Sequence, residues 1–156
     1  MSPEPGGVFE RLLGLARCWL GGPVAGGRQF ISWIHDYDLV RAIDFLIDRS
    51  DLAGAVNLAA SNPLPQREFM AALREAAGIR VGLPAARWML EIGAFFLRTE
   101  SELILKSRRV VPGRLQTAGF QFQFPAWTEA AEDLVNRRRN GPERPPARPA
   151  RIAGPA

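Results

Sequence analysis

The feature that most constrains the fold is the order of elements between residues 28 and 60. This segment contains a strand-like run, then an amphipathic helix, then a second strand-like run. RQFISWIH is rich in β-branched and aromatic residues, which predicts a strand of about five or six residues. AVNLAA, further along the chain, is short, apolar and bounded by turn residues, as buried strands are. Two strands with one helix between them predict a βαβ unit.

The helix between these strands has the clearest pattern in the chain. Its apolar residues recur with spacings of i, i+3, i+4, i+7 and i+8, which predicts one buried stripe. The stripe consists of Leu39, Ala42, Ile43, Leu46 and Ile47. Asp36 or Asp38 lies where a carboxylate caps the free amides of a first turn, so we expect one of them to be the helix cap.

Apolar spacing also predicts helices elsewhere in the chain. Residues 8–20 form one that ends near Gly21, and residues 66–77 form another that Gly78 stops, with a stripe of Phe69, Met70, Leu73 and Ala76. Residues 84–97 are apolar on nearly all sides and therefore must be buried or paired. PGRLQTAG predicts a short helix that Gly119 closes, and residues 127–137 predict a last helix. The runs ELILKS and FQFQF predict short strands.

The positive charge is concentrated at the carboxyl terminus. The whole chain carries a net charge of +4, but residues 137–156 hold six arginines and one acid, which leaves 14 basic and 15 acidic residues in 1–136. This tail also contains five prolines and almost no apolar residues, a composition that predicts disorder. A solvated tail is favoured over contact with polyanions, so specific nucleic-acid binding is not expected.

Other whole-chain features indicate a soluble protein of a reducing compartment. Cys18 is the single cysteine, which excludes an intramolecular disulfide and a cysteine-rich zinc site. Charged residues interrupt the amino-terminal apolar run, and no run reaches the roughly 20 apolar residues of a membrane span. We therefore expect a cytoplasmic protein that does not bind membranes.

GGPVAGGRQ is similar in spacing to a phosphate-binding P-loop, but its context differs. A P-loop follows a strand and opens a helix, whereas these glycines precede a strand, and Arg28 stands where the lysine would be. A flexible turn is favoured over nucleotide binding by this loop. The chain also has no G-x-G-x-x-G run for a dinucleotide.

Residues for acid–base chemistry are few. Tyr37, Lys106 and His35 are the only residues of their types, and Arg41 occupies the position where a Tyr-x-x-x-Lys pair would have its lysine. His35 follows a strand and precedes a helix, where a side chain can face a ligand crevice. A hydrogen-bonded structural histidine is the favoured alternative.

Two signatures in this order resemble a known family. The first is Q-x-x-S-W-I-H-x-x-D from Gln29 to Asp38, followed by G-x-x-N ending at Asn57. The second is L-x-S-x-R-x-x-P from Leu105 to Pro112, followed by A-G-F-x-F-x-x-P over 118–125. They resemble the sugar-nucleotide epimerase-like "epimerase family" of atypical short-chain dehydrogenases/reductases, including the carboxyl-terminal domain of unknown function of that family.

The resemblance covers about residues 5–135 and corresponds only to the carboxyl-terminal half of such proteins. It implies an α/β fold, in which a partial Rossmann-like (βαβ), substrate-side half precedes a small, mostly helical carboxyl-terminal domain. The implied boundaries are 1–79 for the end of the NAD(P)-binding Rossmann-like epimerase domain, 80–136 for the small domain and 137–156 for the disordered tail. The half that carries the glycine-rich NAD(P) loop and the active-site tyrosine and lysine is expected to be missing.

The resemblance also implies roles for individual residues. Arg28, Gln29, Ser32, Trp33 and His35 would lie on the substrate side, with Asp38 as a structural helix cap. Extended epimerases often place a phosphate-binding arginine where this chain has Ile31, so Arg28 is the nearest substitute. We expect a truncated or split NAD(P)-dependent epimerase/dehydratase-like protein that binds no cofactor and no metal alone and has no catalytic residue or redox activity of its own. The alternative is an interaction module that completes a separately encoded amino-terminal half or self-associates.

Overall fold

A computed structural model describes residues 1–24, 26–83, 107 and 109–141. The helices of this part are α1 (Val8–Arg17), α2 (Asp36–Ile47), α3 (Gln66–Ala76), α4 (Gly113–Thr117) and α5 (Trp127–Asn140), and its strands are β1 (Phe30–Ile31) and β2 (Leu64–Pro65). The predicted helix at 84–97 and strand ELILKS, and the tail beyond 141, lie outside the described residues. Within the described part, no helix is long and apolar enough to cross a membrane.

The two strands are short and antiparallel, with Phe30 opposite Pro65 and Ile31 opposite Leu64. The predicted βαβ pairing is therefore wrong for the described residues. AVNLAA is not assigned as a strand, and only one backbone hydrogen bond, from Ala60 N to Trp33 O at 2.6 Å, joins it to the first strand-like run. A parallel strand needs neighbours on a larger sheet, and the described residues supply none at this position.

The main core lies between α1, α3 and α5. Phe69 and Trp127 stack with ring centroids 3.9 Å apart, and Trp127 Nε1 donates to Phe69 O at 2.8 Å. Phe9, Leu13 and Leu134 are also fully buried in this cluster. Since full burial of one such apolar side chain contributes about 1.5–3 kcal/mol, this core is the main source of stability. It also crosses the expected boundary near residue 79, because α5 packs on α3.

Both predicted helices, α1 and α3, are present, and the apolar stripe and the end of α3 are confirmed. α3 buries Phe69, Met70 and Leu73, and Gly78 at φ +74° follows it, as the sequence predicts. α1 ends at Arg17, earlier than the expected Gly21. Gly21 packs against α1 and α3 instead, because a Cβ there would lie 3.1 Å from the Ala16 Cα and 3.2 Å from the Met70 Cε.

α2 differs most from its predicted packing. Within the expected stripe, Ala42 is buried and packs with Leu115 and Phe120, but Ile43 and Ile47 are exposed. The sequence period identifies an apolar face correctly, yet the described residues cover only the side of α2 centred on Ala42.

The carboxyl-terminal part also corrects two predictions. FQFQF is not a strand, because two of its backbone amides bond to a side chain of α2. The last helix continues through Asn140, so the predicted disordered segment does not begin at residue 137. Arg137 is only 8% exposed, and its guanidinium pairs with Asp36, which extends the ordered helix.

Candidate functional site

The segment from Arg28 to His35 carries all five residues expected on the substrate side. Arg28 is exposed. Gln29 is half-buried, and its Nε2 donates to Val24 O at 3.1 Å, so its side chain stabilises the preceding glycine loop. Ser32 is half-buried, and its Oγ accepts a hydrogen bond from Val110 N at 2.9 Å. Of these three side chains, Arg28 is the most accessible to a ligand.

The two sequence signatures meet at β1. Phe30 N donates to Ser107 Oγ at 3.1 Å, and the Arg109 guanidinium carbon lies 5.0 Å from the centroid of the Phe30 ring. Together with the bond from Val110 to Ser32, these contacts hold Ser107, Arg109 and Val110 beside β1. Two motifs that are almost 80 residues apart in sequence thus form one surface.

Trp33 is part of the core. It is buried, its ring meets Trp127 edge-on at 5.0 Å, and its Nε1 donates to Asn62 O at 3.2 Å. This side chain therefore supports the candidate site from beneath.

His35 is completely buried, with a relative exposure of 0%. Its Nδ1 accepts from Tyr37 N at 3.2 Å, so the ring proton belongs on Nε2, which lies 3.0 Å from Asp133 Oδ2. The ring also stacks on Phe124 at 4.0 Å. Burial lowers the pKa of His35 despite the opposing effect of the nearby carboxylates of Asp36 and Asp133. The structural alternative describes this histidine: it is a neutral bridge between α2 and α5.

An ion pair also joins α2 to α5. Arg137 Nη1 and Nη2 donate to Asp36 Oδ1 and Oδ2 at 2.9 and 2.8 Å, and the guanidinium lies 4.1 Å from the Tyr37 ring centroid. Burial acts to raise the pKa of Asp36, but the hydrogen bonds from Arg137 and the neighbouring positive charge bring it below its ordinary value. The same bonds raise the pKa of Arg137 against the effect of burial. Bidentate pairing of this kind fixes geometry as well as charge.

Asp38 does not cap α2, which corrects the expected role. His35 is the N-cap residue, and Asp38 lies within the first turn with a buried side chain. Its carboxylate accepts from Gln123 N and Phe124 N, both at 2.8 Å, and from Arg41 Nη1 at 2.9 Å. A carboxylate needs several donors when it is buried, and here two of them come from a distant segment of backbone.

The interior of the glycine loop is filled by a side chain. Gln66 is buried at the start of α3, where its Oε1 accepts from Val24 N at 3.1 Å and its Nε2 donates to Gly22 O at 3.3 Å. Gly27 has φ +65°, and a Cβ there would lie 2.7 Å from the Arg67 Cβ. These glycines therefore allow close packing against α3. Gly27 N donates to Val24 O at 2.8 Å, so the described residues of the loop form a turn.

Sequence reasoning missed three residues of this region: Gln66, Asp133 and Arg137. The i, i+4 spacing of Asp133 and Arg137 was a usable signal, because such a pair shares one helix face. Both lie on the helix that also buries Leu134. Within the part of the chain that the structure describes, no group of three histidine, cysteine or acidic side chains is placed to hold a metal ion.

Comparison with known proteins connects this arrangement to a family. Residues 85–134 match a family model described as "Domain of unknown function (DUF1731)". An epimerase family protein of Staphylococcus aureus (strain MRSA252) is 31% identical over 133 residues, which are 85% of this chain and 43% of the relative. The human epimerase family protein SDR39U1 is 30% identical over 130 residues, 83% of this chain and 44% of the relative.

A solved structure is also similar. The crystal structure of human SDR39U1 (isoform 2) with NADPH superposes with a TM-score of 0.76 at 27% identity, over 87% of this chain and 45% of that chain. The chain thus spans less than half the length of these relatives, while 83–87% of its own length is matched.

Proposed function

Because the chain belongs to the epimerase family, we propose that it forms the substrate-side, carboxyl-terminal portion of an NAD(P)-dependent epimerase- or reductase-like protein and has no redox activity by itself. The observation that carries this proposal is the unequal coverage: the likeness extends over 87% of this chain but only 45% of the human protein that was solved with NADPH. The larger part of that relative has no counterpart among these 156 residues.

The packing of the glycine loop supports the same proposal. Dinucleotide-binding folds present glycine amides at a helix amino terminus to the pyrophosphate. In this chain the loop amide of Val24 bonds to the Gln66 side chain instead. This bond supports the part of the proposal in which residues outside this loop, in the unmatched portion of the family fold, hold the nicotinamide cofactor. Hydride transfer is the chemistry of that cofactor.

The five substrate-side residues divide into two roles in this proposal. Arg28 is exposed and contacts the substrate. Gln29, Ser32, Trp33 and His35 are half-buried or buried and position the segment. An exposed guanidinium suits an anionic substrate group, since it offers a fork of donors to a phosphate or carboxylate.

A calorimetric titration of the purified chain with NADPH tests the proposal. We expect no binding tighter than about 1 mM, because these 156 residues match less than half of the relative that was solved with NADPH. Human SDR39U1 in the same buffer is the positive control. Micromolar binding of NADPH to this chain alone would overturn the proposal.

A second candidate function, an interaction module, is favoured by one observation on α2. Val40, Ile43 and Ile47 are exposed on one face of this helix, although their spacing is that of a buried stripe. Self-association would cover them with a second copy. Light scattering decides this case: a dimer at about 50 μM supports self-association, and a monomer at that concentration removes it.

A further inference from the structure

A cavity lies between the turn that follows α2 and helix α4. Its volume is about 460 Å³, which is within the range of about 300–1,000 Å³ that small-molecule sites have. Arg49, Asp51 and Leu52 line it from the turn, and Arg114 and Thr117 line it from α4. None of these residues belongs to the segment that was expected on the substrate side. The cavity is therefore a separate candidate site.

The guanidinium of Arg114 is held by backbone carbonyls. Its Nη1 donates to Ala55 O and its Nη2 donates to Ala53 O, both at 2.8 Å. Gly54 lies between these two residues with φ +88°, a conformation that glycine adopts readily, and the turn thus presents both carbonyls to one guanidinium. Carbonyls have no net charge, and Arg114 forms no ion pair with any residue that the structure describes. Its positive charge therefore remains uncompensated at the cavity.

Arg49 is held in a different way. Its Nε and Nη2 donate to Asp51 Oδ1 and Oδ2 at 2.7 and 2.8 Å, and its Nη1 donates to Ala118 O at 3.2 Å. The carboxylate of Asp51 neutralises the charge of Arg49 and fixes the plane of its guanidinium. Since the lining contains these two opposite charges and Arg114, its net charge is positive. A negatively charged ligand would complete the balance.

Both guanidiniums keep hydrogen-bond donors for such a ligand. A guanidinium has more N–H groups than the two that Arg114 and the three that Arg49 use in these bonds. The exposed hydroxyl of Thr117 lies three residues after Arg114 on α4, so the two side chains share one helix face. A phosphate group offers more acceptor oxygens than a carboxylate, and arginine donors match its geometry. The donor set therefore favours phosphate.

We propose that this cavity binds a phosphate group. Arg114 supplies the uncompensated charge, Arg49 and Thr117 add donors, and Asp51 holds Arg49 in position. A phosphate bound there would join the turn after α2 to α4. This inference does not depend on the proposed function, because none of these residues takes part in it.

An NMR titration of the complete 156-residue chain with inorganic phosphate tests the site residue by residue. We expect saturable shifts at the amides of Arg49, Leu52, Arg114 and Thr117, with a dissociation constant on the order of 1 mM. Sodium chloride at the same ionic strength is the control and should give no saturable shift. Shifts that do not saturate, or that are spread over all exposed arginines, would overturn the site, because screening of surface charge gives that pattern.

A second ligand identifies the source of the phosphate group. Ribose 5-phosphate is titrated under the same conditions as inorganic phosphate. Tighter binding of ribose 5-phosphate would assign the cavity to a phosphorylated small molecule, and equal or weaker binding would assign it to the free anion. Saturable shifts at the cavity support the phosphate site in both cases.

Three substitutions locate the binding. Arg114→Gln removes the uncompensated charge and should weaken phosphate binding at least about tenfold. Thr117→Val removes one donor but leaves the bonds of both arginines to the backbone in place, and it should weaken binding about threefold. Arg80→Gln is the matched control, because Arg80 is an exposed arginine that does not line this cavity, and binding should be unchanged.

The Thr117 variant protects the test against a structural effect of the Arg114 variant. Arg114→Gln also loses the bonds to Ala53 and Ala55, so circular dichroism checks that this variant folds. If it does not fold, Thr117→Val decides, and undiminished binding in that variant overturns the site. Undiminished binding in a folded Arg114→Gln variant, or an equal loss in Arg80→Gln, also overturns it.

Discussion

The packing of α3 against α5 and the packing of α2 show how differently two amphipathic helices of one chain are used. α3 buries Phe69 and Leu73 completely in the core that it shares with α5, and Trp127 of α5 stacks on Phe69. α2 buries Ala42 but leaves Ile47 on its apolar side 75% exposed. A helical period shows that a face needs a partner, and it does not show whether this partner lies in the same 156 residues.

The largest expected effect on stability is at the interface between α3 and α5. Phe69→Ala removes a ring that is fully buried and stacked on Trp127, and it should lower the free energy of unfolding by about 3–5 kcal/mol. Urea denaturation followed by circular dichroism measures this loss. Val81→Ala, at a half-exposed position, is the control and should be nearly neutral. Similar losses in both variants would mean that the core is not where the structure places it.

Asp38 tests the covered side of α2. Asp38→Ala leaves the amides of Gln123 and Phe124 without their acceptor and Arg41 without its carboxylate, so we expect a loss of about 2–3 kcal/mol. Asp38→Asn keeps one acceptor oxygen and should lose less. Urea denaturation of both variants gives the comparison. An equal loss in both would indicate that charge alone, without the two amide bonds, explains the effect.

Arg137 tests the junction between the two regions, because it joins α5 to the start of α2. Arg137→Met keeps the length of the side chain but removes the bidentate pair with Asp36, and we expect a loss of about 2 kcal/mol in the free energy of unfolding. Arg138→Met is the matched control. Arg138 pairs with Glu10 at the surface, where water and salt screen the charges, so its loss should be much smaller.

The helices could be predicted from the sequence better than the strands or the polar contacts. The stripe of Phe69, Met70 and Leu73 and the stop at Gly78 are local properties, since a residue and its neighbours three or four positions away determine them. The strand-like runs RQFISWIH and AVNLAA depend on neighbours from elsewhere, and only two residues of the first become a strand. Local pattern cannot supply a missing partner strand.

The sequence predicted several residues of the candidate site but not the contacts that they make. The sequence singled out His35 as a substrate-side or structural residue and Asp38 as a helix cap. The favoured structural interpretation of His35 agrees with its burial. The sequence could not reveal that Asp133 and residues 123–124 are their partners, because these contacts join positions 85–98 residues apart. Nor did it separate exposed Arg28 from buried Trp33, since both lie in one short motif.

The pH dependence of stability distinguishes the roles of His35 and Asp36 at the junction. The folded pKa of His35 is below its ordinary value of 6.5, so the unfolded chain binds the proton first and stability falls as the pH drops below 6.5. The folded pKa of Asp36 is also lowered, and its contribution is lost only as the pH falls below 3.8. Urea denaturation at about one unit above and about one and a half units below the ordinary histidine pKa measures this change in stability. Burial also lowers the pKa of the Met1 amine below its ordinary value, so this amine contributes in the same direction over the same range.

A substitution removes this dependence selectively. His35→Gln keeps a hydrogen-bonding side chain but removes the imidazole that titrates near neutral pH, so the stability of this variant should change less over the same pH range than that of the unchanged chain. An undiminished pH dependence in His35→Gln would assign the effect to another group.

The smallest expected effect tests the open side of α2. Ile47→Lys in the isolated chain should change the free energy of unfolding by less than about 0.5 kcal/mol, because the side chain is 75% exposed and loses little contact. Urea denaturation measures this change. Ala42→Lys is the comparison, because it puts a charge into the buried side of the same helix and should unfold the chain. A large loss for Ile47→Lys would mean that another part of the same chain already covers the open side of α2, and then α2 and α3 would no longer differ.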